Sequence, residues 1–183
     1  RNFKALGEDK SAYKYIKIGF SQLDKNPEFY FSSGIYNYYR EKYPEEKLFY
    51  KSFLWFFRSG DMKEGLNMLP KAATQASFTK ADGQTYLYHI NLRYEDNPSR
   101  SMHYARILKN DYPNNLLYIA NYIENSIRLH QYFDIRPMIQ MLIESDDDFY
   151  QYLGEIFLGN YLENSTNGLD SAIVQYLKAD KIG

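Results

Sequence analysis

The fold is decided by residues 88–93, which read Tyr-His-Ile-Asn-Leu-Arg. The same pattern recurs every 35 residues, as Phe-Leu-Trp-Phe-Phe-Arg at 53–58, Ile-Glu-Asn-Ser-Ile-Arg at 123–128 and Leu-Gly-Asn-Tyr-Leu-Glu at 158–163. Each copy has a large apolar residue, three spacers, a second large apolar residue and a charge. Because apolar residues four apart lie on one face of a helix, each copy predicts a helix with one buried stripe. A period of 35 residues is typical of arrays of helical hairpins, so the sequence predicts an all-α fold.

Start and stop signals divide the chain into helices that pair as hairpins. Pro27 and Pro98 each follow an asparagine that can cap a helix, so each predicts a helix start. Pro44 and Pro113 each follow a tyrosine and predict helix ends two periods apart. The sequence therefore predicts a single domain over residues 1–183, a right-handed superhelical array (an α-solenoid) in which the first hairpin is a candidate cap. The five predicted hairpins span about residues 9–43, 46–76, 79–112, 115–145 and 147–182.

Several details of individual helices are predicted as well. The first helix is expected over 9–23 and the third over 46–58. Pro44 is expected to stop the second helix, and Pro70 to kink or divide the fourth. Asp134 is expected to cap the eighth. One buried seam is expected to join the hairpins through Phe53, Phe57, Tyr88, Leu92, Ile123, Ile127, Leu158 and Leu162.

Composition and charge exclude several classes of function. The 183 residues carry 22 basic and 23 acidic side chains, a net charge of -1, so no general positive field attracts nucleic acid or an anionic membrane. Cysteine is absent, which excludes disulfides, thiolate catalysis and cysteine-ligated zinc. No apolar run approaches the roughly 18 residues that cross a bilayer. The 20 tyrosines stand at helical spacing, which favours core packing over a ligand platform.

Arginine occupies the same position in three successive copies of the pattern, at Arg58, Arg93 and Arg128. Stacked helices lie roughly 8 to 10 Å apart, so the three side chains would form a row of forked donors suited to carboxylates or phosphates. A structural interpretation is also open, because each arginine lies near a helix end, where a cation complements the helix dipole. Acidic residues three or four positions away could relieve the repulsion within this row; they are Asp61, Asp96 and Glu124.

No residue pattern indicates catalysis. The three histidines, His89, His103 and His130, lack the spacing of a helical metal site, and no serine or aspartate stands in a recognisable triad context. The run of aspartates at 146–148 lacks the alternation and the glycine of a calcium loop, and is expected to cap the ninth helix. The sequence therefore predicts no catalytic residue, no metal and no cofactor.

The last hairpin resembles the tetratricopeptide-repeat family. Its first helix contains Leu158-Gly159, and Ala172, Tyr176 and Ala179 follow at the family's small, aromatic, small spacing. The resemblance covers about residues 46–182, although His89 and Glu124 replace the glycine in two of the hairpins. Matching residues in the second and third hairpins are Gly65, Leu69, Ala72, Asn97, Pro98, Ser101, Ala105, Tyr112 and Pro113.

This resemblance implies a concave face, lined by the first helix of each hairpin, that binds a ligand. It places eight candidate ligand-binding residues on that face: Arg58, Arg93, Arg128, Lys47, Tyr50, Tyr86, Tyr94 and Asn160. The expected function is a noncatalytic scaffold that binds a peptide or protein segment through the arginine row. The alternatives are an RNA-binding helical repeat, since the pentatricopeptide class has a similar period, and an accessory domain of an enzyme or glycan-binding system. The composition, rich in Tyr, Asn and Lys, is similar to that of exported repeat proteins of Bacteroidetes-type bacteria, which favours a periplasmic location.

Overall fold

The structure, a computed structural model, describes residues 13–46, 57–165 and 168–183. Within these ranges the chain forms nine α-helices and no strand, which confirms the predicted all-α class. The helices are α1 (13–20), α2 (Phe29–Glu46), α3 (Met62–Gln75), α4 (Lys80–Arg93), α5 (Pro98–Asp111), α6 (Leu116–Arg128), α7 (Arg136–Ile143), α8 (Asp148–Glu163) and α9 (Leu169–Ile182). None of these nine helices is both long enough and apolar enough to cross a membrane.

The chain divides into two compact units, Arg1–Leu87 and Tyr88–Gly183, here called the N-terminal unit and the C-terminal unit. The N-terminal unit is organised by a close approach of α2 to α3. A Cβ atom added to Gly65 of α3 would lie 2.7 Å from the backbone nitrogen of Tyr38 and 2.8 Å from the carbonyl oxygen of Gly34, both on α2. Such distances leave no space for a side chain, so glycine at position 65 is what allows the two backbones to touch.

The start of α2 is joined to the connection between α3 and α4 by the carboxylate of Glu28. Its Oε1 accepts hydrogen bonds from the backbone nitrogens of Ser77 (2.6 Å) and Phe78 (3.0 Å). Its Oε2 accepts from the nitrogen (2.9 Å) and the hydroxyl (2.8 Å) of Thr79. Burial raises the pKa of Glu28, but these hydrogen bonds outweigh it and lower the pKa from 4.5 to about 2. No local sequence signal predicts this contact, which spans about fifty residues.

The C-terminal unit has an apolar core between α6, α7 and α8. Its buried members come from α6, from α7 and from Ile135 just before α7, and they include Ile123. Ile127 and Leu158 pack against them with partial exposure. Of the predicted seam, Tyr88, Leu92 and Ile123 are buried, whereas Phe57, Ile127, Leu158 and Leu162 are only partly buried. Full burial of those four side chains was therefore a wrong prediction, because the larger apolar residues of a small helical unit also cover its edges. Phe53 lies outside the described residues.

Helices α8 and α9 pack through the residues that carry the tetratricopeptide resemblance. A Cβ atom on Gly159 would lie 2.4 Å from Cε1 of Tyr176, so the tyrosine ring occupies the space of the missing side chain. Ala172 and Ala179 of α9 are buried. The small residues of this hairpin therefore allow close contact between its two helices.

Several predicted helix starts are confirmed by their capping hydrogen bonds. At Asn97 and Asp147 a side-chain oxygen accepts from a backbone nitrogen two or three residues later. Asp61 makes the same contact at the start of α3, and Asn26 accepts from the nitrogen of Glu28 just before α2. The cap predicted at Asp134 is wrong. Asp134 has a left-handed backbone (φ 61°) in the preceding turn, a conformation that aspartate tolerates, and α7 begins after Ile135 without a side-chain cap.

The prediction that Pro44 stops α2 was wrong, and of the two alternatives predicted for Pro70 the division of the helix was wrong. Pro44 does not stop α2, which continues to Glu46 with a buried Pro44 in its last turn. A proline there removes a single helical hydrogen bond, and its burial offsets that loss. Pro70 does not divide α3, which runs unbroken and buries Met68, Leu69 and Ala72 around it. Packing of that apolar face holds the helix together despite the proline.

The predicted ends of the first and third helices are also wrong. In α1 the helix ends at Phe20 rather than at residue 23, because the amides of Ser21 and Gln22 bond to carbonyls only three residues earlier and tighten the chain into turns. Of the third predicted helix, residues 47–56 lie outside the described ranges, but Arg58 is not helical. Its backbone nitrogen instead donates to the Tyr13 hydroxyl (2.9 Å), and its carbonyl accepts from the Tyr36 hydroxyl (2.5 Å).

Candidate functional site

The candidate site is a charged cluster in the C-terminal unit around the carboxylate of Glu124. Nη2 of Arg93 donates to Oε1 of Glu124, and Nε of Arg128 lies 3.9 Å from the same oxygen. The hydroxyl of Tyr88 donates to Oε2 at 2.9 Å. Two guanidinium groups therefore share one carboxylate, whose other oxygen is fixed by a buried tyrosine. We call these four residues the Glu124 cluster.

The ends of two helices bring the arginines together. Arg93 is the last residue of α4 and Arg128 is the last residue of α6, so both predicted helix-end positions are confirmed. A cation is favourable there because the exposed carbonyls at a helix C-terminus carry partial negative charge. Glu124 lies one turn before Arg128 on α6, the spacing that lets two side chains on one helix meet. The cluster therefore depends on two features of the sequence: each arginine ends a helix, and Glu124 lies one turn before Arg128.

Both arginine side chains remain accessible. The exposed fraction is 45% for Arg93 and 47% for Arg128, whereas it is 23% for Glu124. A guanidinium has five N–H donors, and within the described part of the chain Glu124 is the partner of both arginines. Glu124 therefore accepts from only a few of these donors. The arrangement can receive an anion with two adjacent forks.

Two groups of α4 beside the arginines have shifted pKa values. Burial, followed by the negative charge of Glu124 and the hydrogen bond to it, raises the pKa of Tyr88. Burial, followed by the positive charge of Arg93, lowers the pKa of His89, and Glu124 opposes that shift. Both side chains are therefore neutral at pH 7. The positive charge of the cluster comes from Arg93 and Arg128.

Arg58, the third arginine of the predicted row, does not lie at an equivalent helix end. It belongs to the N-terminal unit, in the non-helical segment before α3. Its guanidinium lies over the ring of Phe20, 4.6 Å from the ring centroid, an arrangement that stabilises a cation on an aromatic face. The prediction of three arginines at equivalent helix ends is therefore wrong for Arg58.

The acidic neighbours do not divide among the arginines as predicted. Asp61 caps α3 through the backbone nitrogen of Glu64. Asp96 lies in the turn after α4 with a left-handed backbone (φ 45°). In the described residues Arg93 and Arg128 both form their ion pairs with Glu124. Glu124 was predicted as a neighbour of Arg128 alone. The hydrogen bond from Arg93 to Glu124 joins two helices, and the two residues are 31 positions apart in the sequence. The spacing of neighbouring residues could therefore not predict it.

The remaining candidate ligand-binding residues are dispersed. Lys47 and Tyr50 lie outside the described residues. Tyr86 belongs to the N-terminal unit, where its ring packs against Phe31 and Tyr39 with centroids 5.5 Å and 6.2 Å apart. In the C-terminal unit, Tyr94 is half-buried directly after Arg93, and Asn160 lies on α8 with its Oδ1 atom buried and without a hydrogen-bond partner.

The histidines occupy separate positions, with His89 on α4, His103 on α5 and His130 in the turn after α6. Where the chain is described, no three His, Asp or Glu side chains converge as a potential metal site. Comparison with protein-family models, with curated proteins and with solved structures found no match for this chain. Functional assignment therefore depends on the geometry of the site itself.

Proposed function

We propose that this protein is a noncatalytic binding scaffold whose C-terminal unit captures an anionic segment of a peptide or protein partner through Arg93 and Arg128. The observation that supports this most is the sharing of one carboxylate by two half-exposed guanidiniums. The contact leaves one positive charge without a partner in the cluster, and an anionic ligand would balance it. Arginine is also enriched among the residues that dominate binding energies at protein interfaces.

A peptide or protein ligand is favoured over a nucleic acid by charge. Much of the affinity for nucleic acid comes from basic side chains that neutralise several phosphates at once. The chain has a net charge of -1, and the cluster supplies only two cations. A short acidic segment needs no more than these two arginines.

The proposal includes the arrangement of the helices. We infer five consecutive hairpins in a right-handed superhelix with the sites on its concave face. The 35-residue sequence period supports this arrangement. So does packing in the C-terminal unit, where α6 contacts both α7 and α8, and α8 contacts both α7 and α9. Contacts of one helix with the next two helices along the chain, as α6 makes, are typical of repeat arrays.

A peptide-display experiment tests the function. A random twelve-residue library would be selected on the wild-type protein and, in parallel, on the Arg93→Gln/Arg128→Gln double variant. The proposal predicts that peptides selected on the wild type are enriched in Asp and Glu, and that the double variant loses these peptides. An Arg106→Gln variant is the matched control, because Arg106 is an exposed arginine of α5 in the same unit.

Two results would contradict the proposed function. One is a set of selected peptides without acidic enrichment. The other is retention of the acidic peptides by the double variant when its melting temperature matches that of the Arg106→Gln control. In either case the arginine pair would be part of the architecture alone.

A further inference from the structure

The 35-residue register places three different residues at one equivalent position on the first helices of the C-terminal unit. They are His89 on α4, Glu124 on α6 and Gly159 on α8. The side chain of Glu124 reaches back to Arg93, the last residue of the preceding first helix. The corresponding contact for Arg128 would come from position 159, where glycine has no side chain.

No other residue of α8 replaces the missing carboxylate within the described part of the chain. The ring of Tyr176 takes the space next to Gly159, with Cε1 2.4 Å from the position of a Cβ atom. Glu163, the acidic residue one turn later, accepts a hydrogen bond from the Tyr176 hydroxyl at 2.9 Å. The ion pair of Arg128 is with Glu124 of its own helix, at 3.9 Å. Arg93, by contrast, has a direct hydrogen bond to a carboxylate from the next first helix.

We propose that Arg128 binds a carboxylate of the ligand directly. This carboxylate takes the position beside Arg128 that corresponds to the position of the Glu124 carboxylate beside Arg93. The inference rests on the proposed function and divides the roles of the two arginines. Arg93 positions Glu124, together with the Tyr88 hydroxyl on the other carboxylate oxygen. Arg128 keeps its donors for the partner.

The charge of the cluster favours a carboxylate over a phosphate. Two guanidiniums and one carboxylate leave a single positive charge, which one carboxylate neutralises. A phosphate group, with a charge of about -1.5 to -2 at pH 7, would leave an excess of negative charge beside Glu124. The carboxylate could belong to an Asp or Glu side chain or to a peptide C-terminus, and the two sources present the same group to Arg128.

Nuclear magnetic resonance of the arginine Nε–Hε groups tests this division of roles. The three signals that matter would be assigned from their disappearance in Arg93→Lys, Arg128→Lys and Arg106→Lys variants. The full chain would then be titrated, at constant ionic strength, with acetyl-Ala-Glu-Ala-amide, with acetyl-Ala-Ala-Ala carrying a free C-terminus, and with inorganic phosphate. The inference predicts a saturable shift of the Arg128 signal with at least one of the two tripeptides, a smaller shift of the Arg93 signal and none of the Arg106 signal. The tripeptide with the larger effect identifies the source of the carboxylate.

Substitutions provide the second measurement. Arg128→Gln is expected to weaken the binding of the effective tripeptide by about tenfold or more, the effect of losing a charge-assisted hydrogen bond. Arg93→Gln is expected to weaken it by no more than about threefold, since it removes a contact within the protein. Larger dependence on Arg93 than on Arg128 would overturn the inference and leave the proposed function intact. Saturable binding of phosphate alone would overturn the carboxylate assignment. Shifts of both signals no larger than that of Arg106 with every probe would contradict the proposed function as well.

Discussion

Glu28 in the N-terminal unit and Glu124 in the C-terminal unit are both partly buried carboxylates that join distant parts of the chain, but their donors differ. Glu28 accepts from three backbone nitrogens and one hydroxyl, all neutral and all held by the backbone of residues 77–79. Glu124 accepts from one buried hydroxyl and is shared by two half-exposed guanidiniums.

This difference separates a structural carboxylate from a functional one. Neutral donors occupy both oxygens of Glu28 and hold its negative charge in place, so its contact fixes the chain and brings no cation that could bind an anionic ligand. The donors of Glu124 are charged, long and accessible, and their summed charge exceeds that of the carboxylate. Glu28 should therefore matter most for stability, and the arginines around Glu124 most for binding.

The largest expected effect is that of Glu28→Gln on stability. The amide group of glutamine would place N–H donors against the backbone N–H groups of residues 77–79, so the free energy of unfolding should fall by about 2 kcal/mol. Urea denaturation followed by circular dichroism measures this change. Glu45→Gln is the matched control, since within the described part of the chain Glu45 forms a surface pair with Lys42, and it should change stability by less than about 0.5 kcal/mol. Equal effects of the two substitutions would remove the structural role assigned to Glu28.

The second prediction concerns acid. The folded-state pKa of Glu28, about 2, lies below its ordinary 4.5, so its contribution is complete above pH 4.5 and is lost as the pH falls toward 2. Wild-type stability should decline in that window by about 2 kcal/mol more than that of Glu28→Gln. Parallel urea titrations at pH 6, 4 and 3 compare the two proteins. Identical pH profiles would show that the hydrogen bonds to residues 77–79 do not hold the carboxylate.

A smaller effect is expected at the buried end of the Glu124 cluster. Tyr88→Phe removes the hydroxyl that fixes Oε2 of Glu124, which should lower the unfolding free energy by about 1 kcal/mol. Tyr176→Phe is the comparison, because its hydroxyl bonds to the exposed Glu163, and its loss should be less than half as large. Thermal unfolding of the two variants measures both losses of stability. A greater loss for Tyr176→Phe would mean that Tyr88 does not support the cluster.

The smallest effect on stability is expected for the arginines themselves. Ion pairs at half-exposed positions contribute little, so Arg93→Gln and Arg128→Gln should each change the unfolding free energy by less than about 1 kcal/mol. The change for Arg128 should be the smaller, because its nearest carboxylate oxygen lies 3.9 Å away. Losses above about 2 kcal/mol in either variant would contradict the distinction between the two carboxylates.

Local chemistry explains how much of the fold could be predicted. The caps at Asn97 and Asp147 depend on residues two or three positions away, and both predictions were confirmed. The register also placed Arg93 and Arg128 correctly at helix ends. These features follow from sequence because their partners are neighbours in the chain.

The wrong or incomplete predictions concern residues whose conformation or partners depend on tertiary contacts. Arg58 is not helical, and its backbone instead forms hydrogen bonds with the hydroxyls of Tyr13 and Tyr36 from distant segments. Pro44 remains helical because it is buried. Glu124 was recognised only as a neighbour of Arg128, since its contact with Arg93 requires two helices to be packed side by side. Spacing along the chain cannot reveal such contacts before the packing is known.

The most direct test of the central claim is the affinity of the Arg93→Gln/Arg128→Gln variant for an acidic peptide from the display selection, measured by calorimetry with the Arg106→Gln variant in parallel. The account predicts that the double variant binds at least about tenfold more weakly, while both variants unfold within a few degrees of the wild type. Equal affinities in the double variant and the control, with both proteins folded, would contradict the assignment of Arg93 and Arg128 as the site that captures the partner.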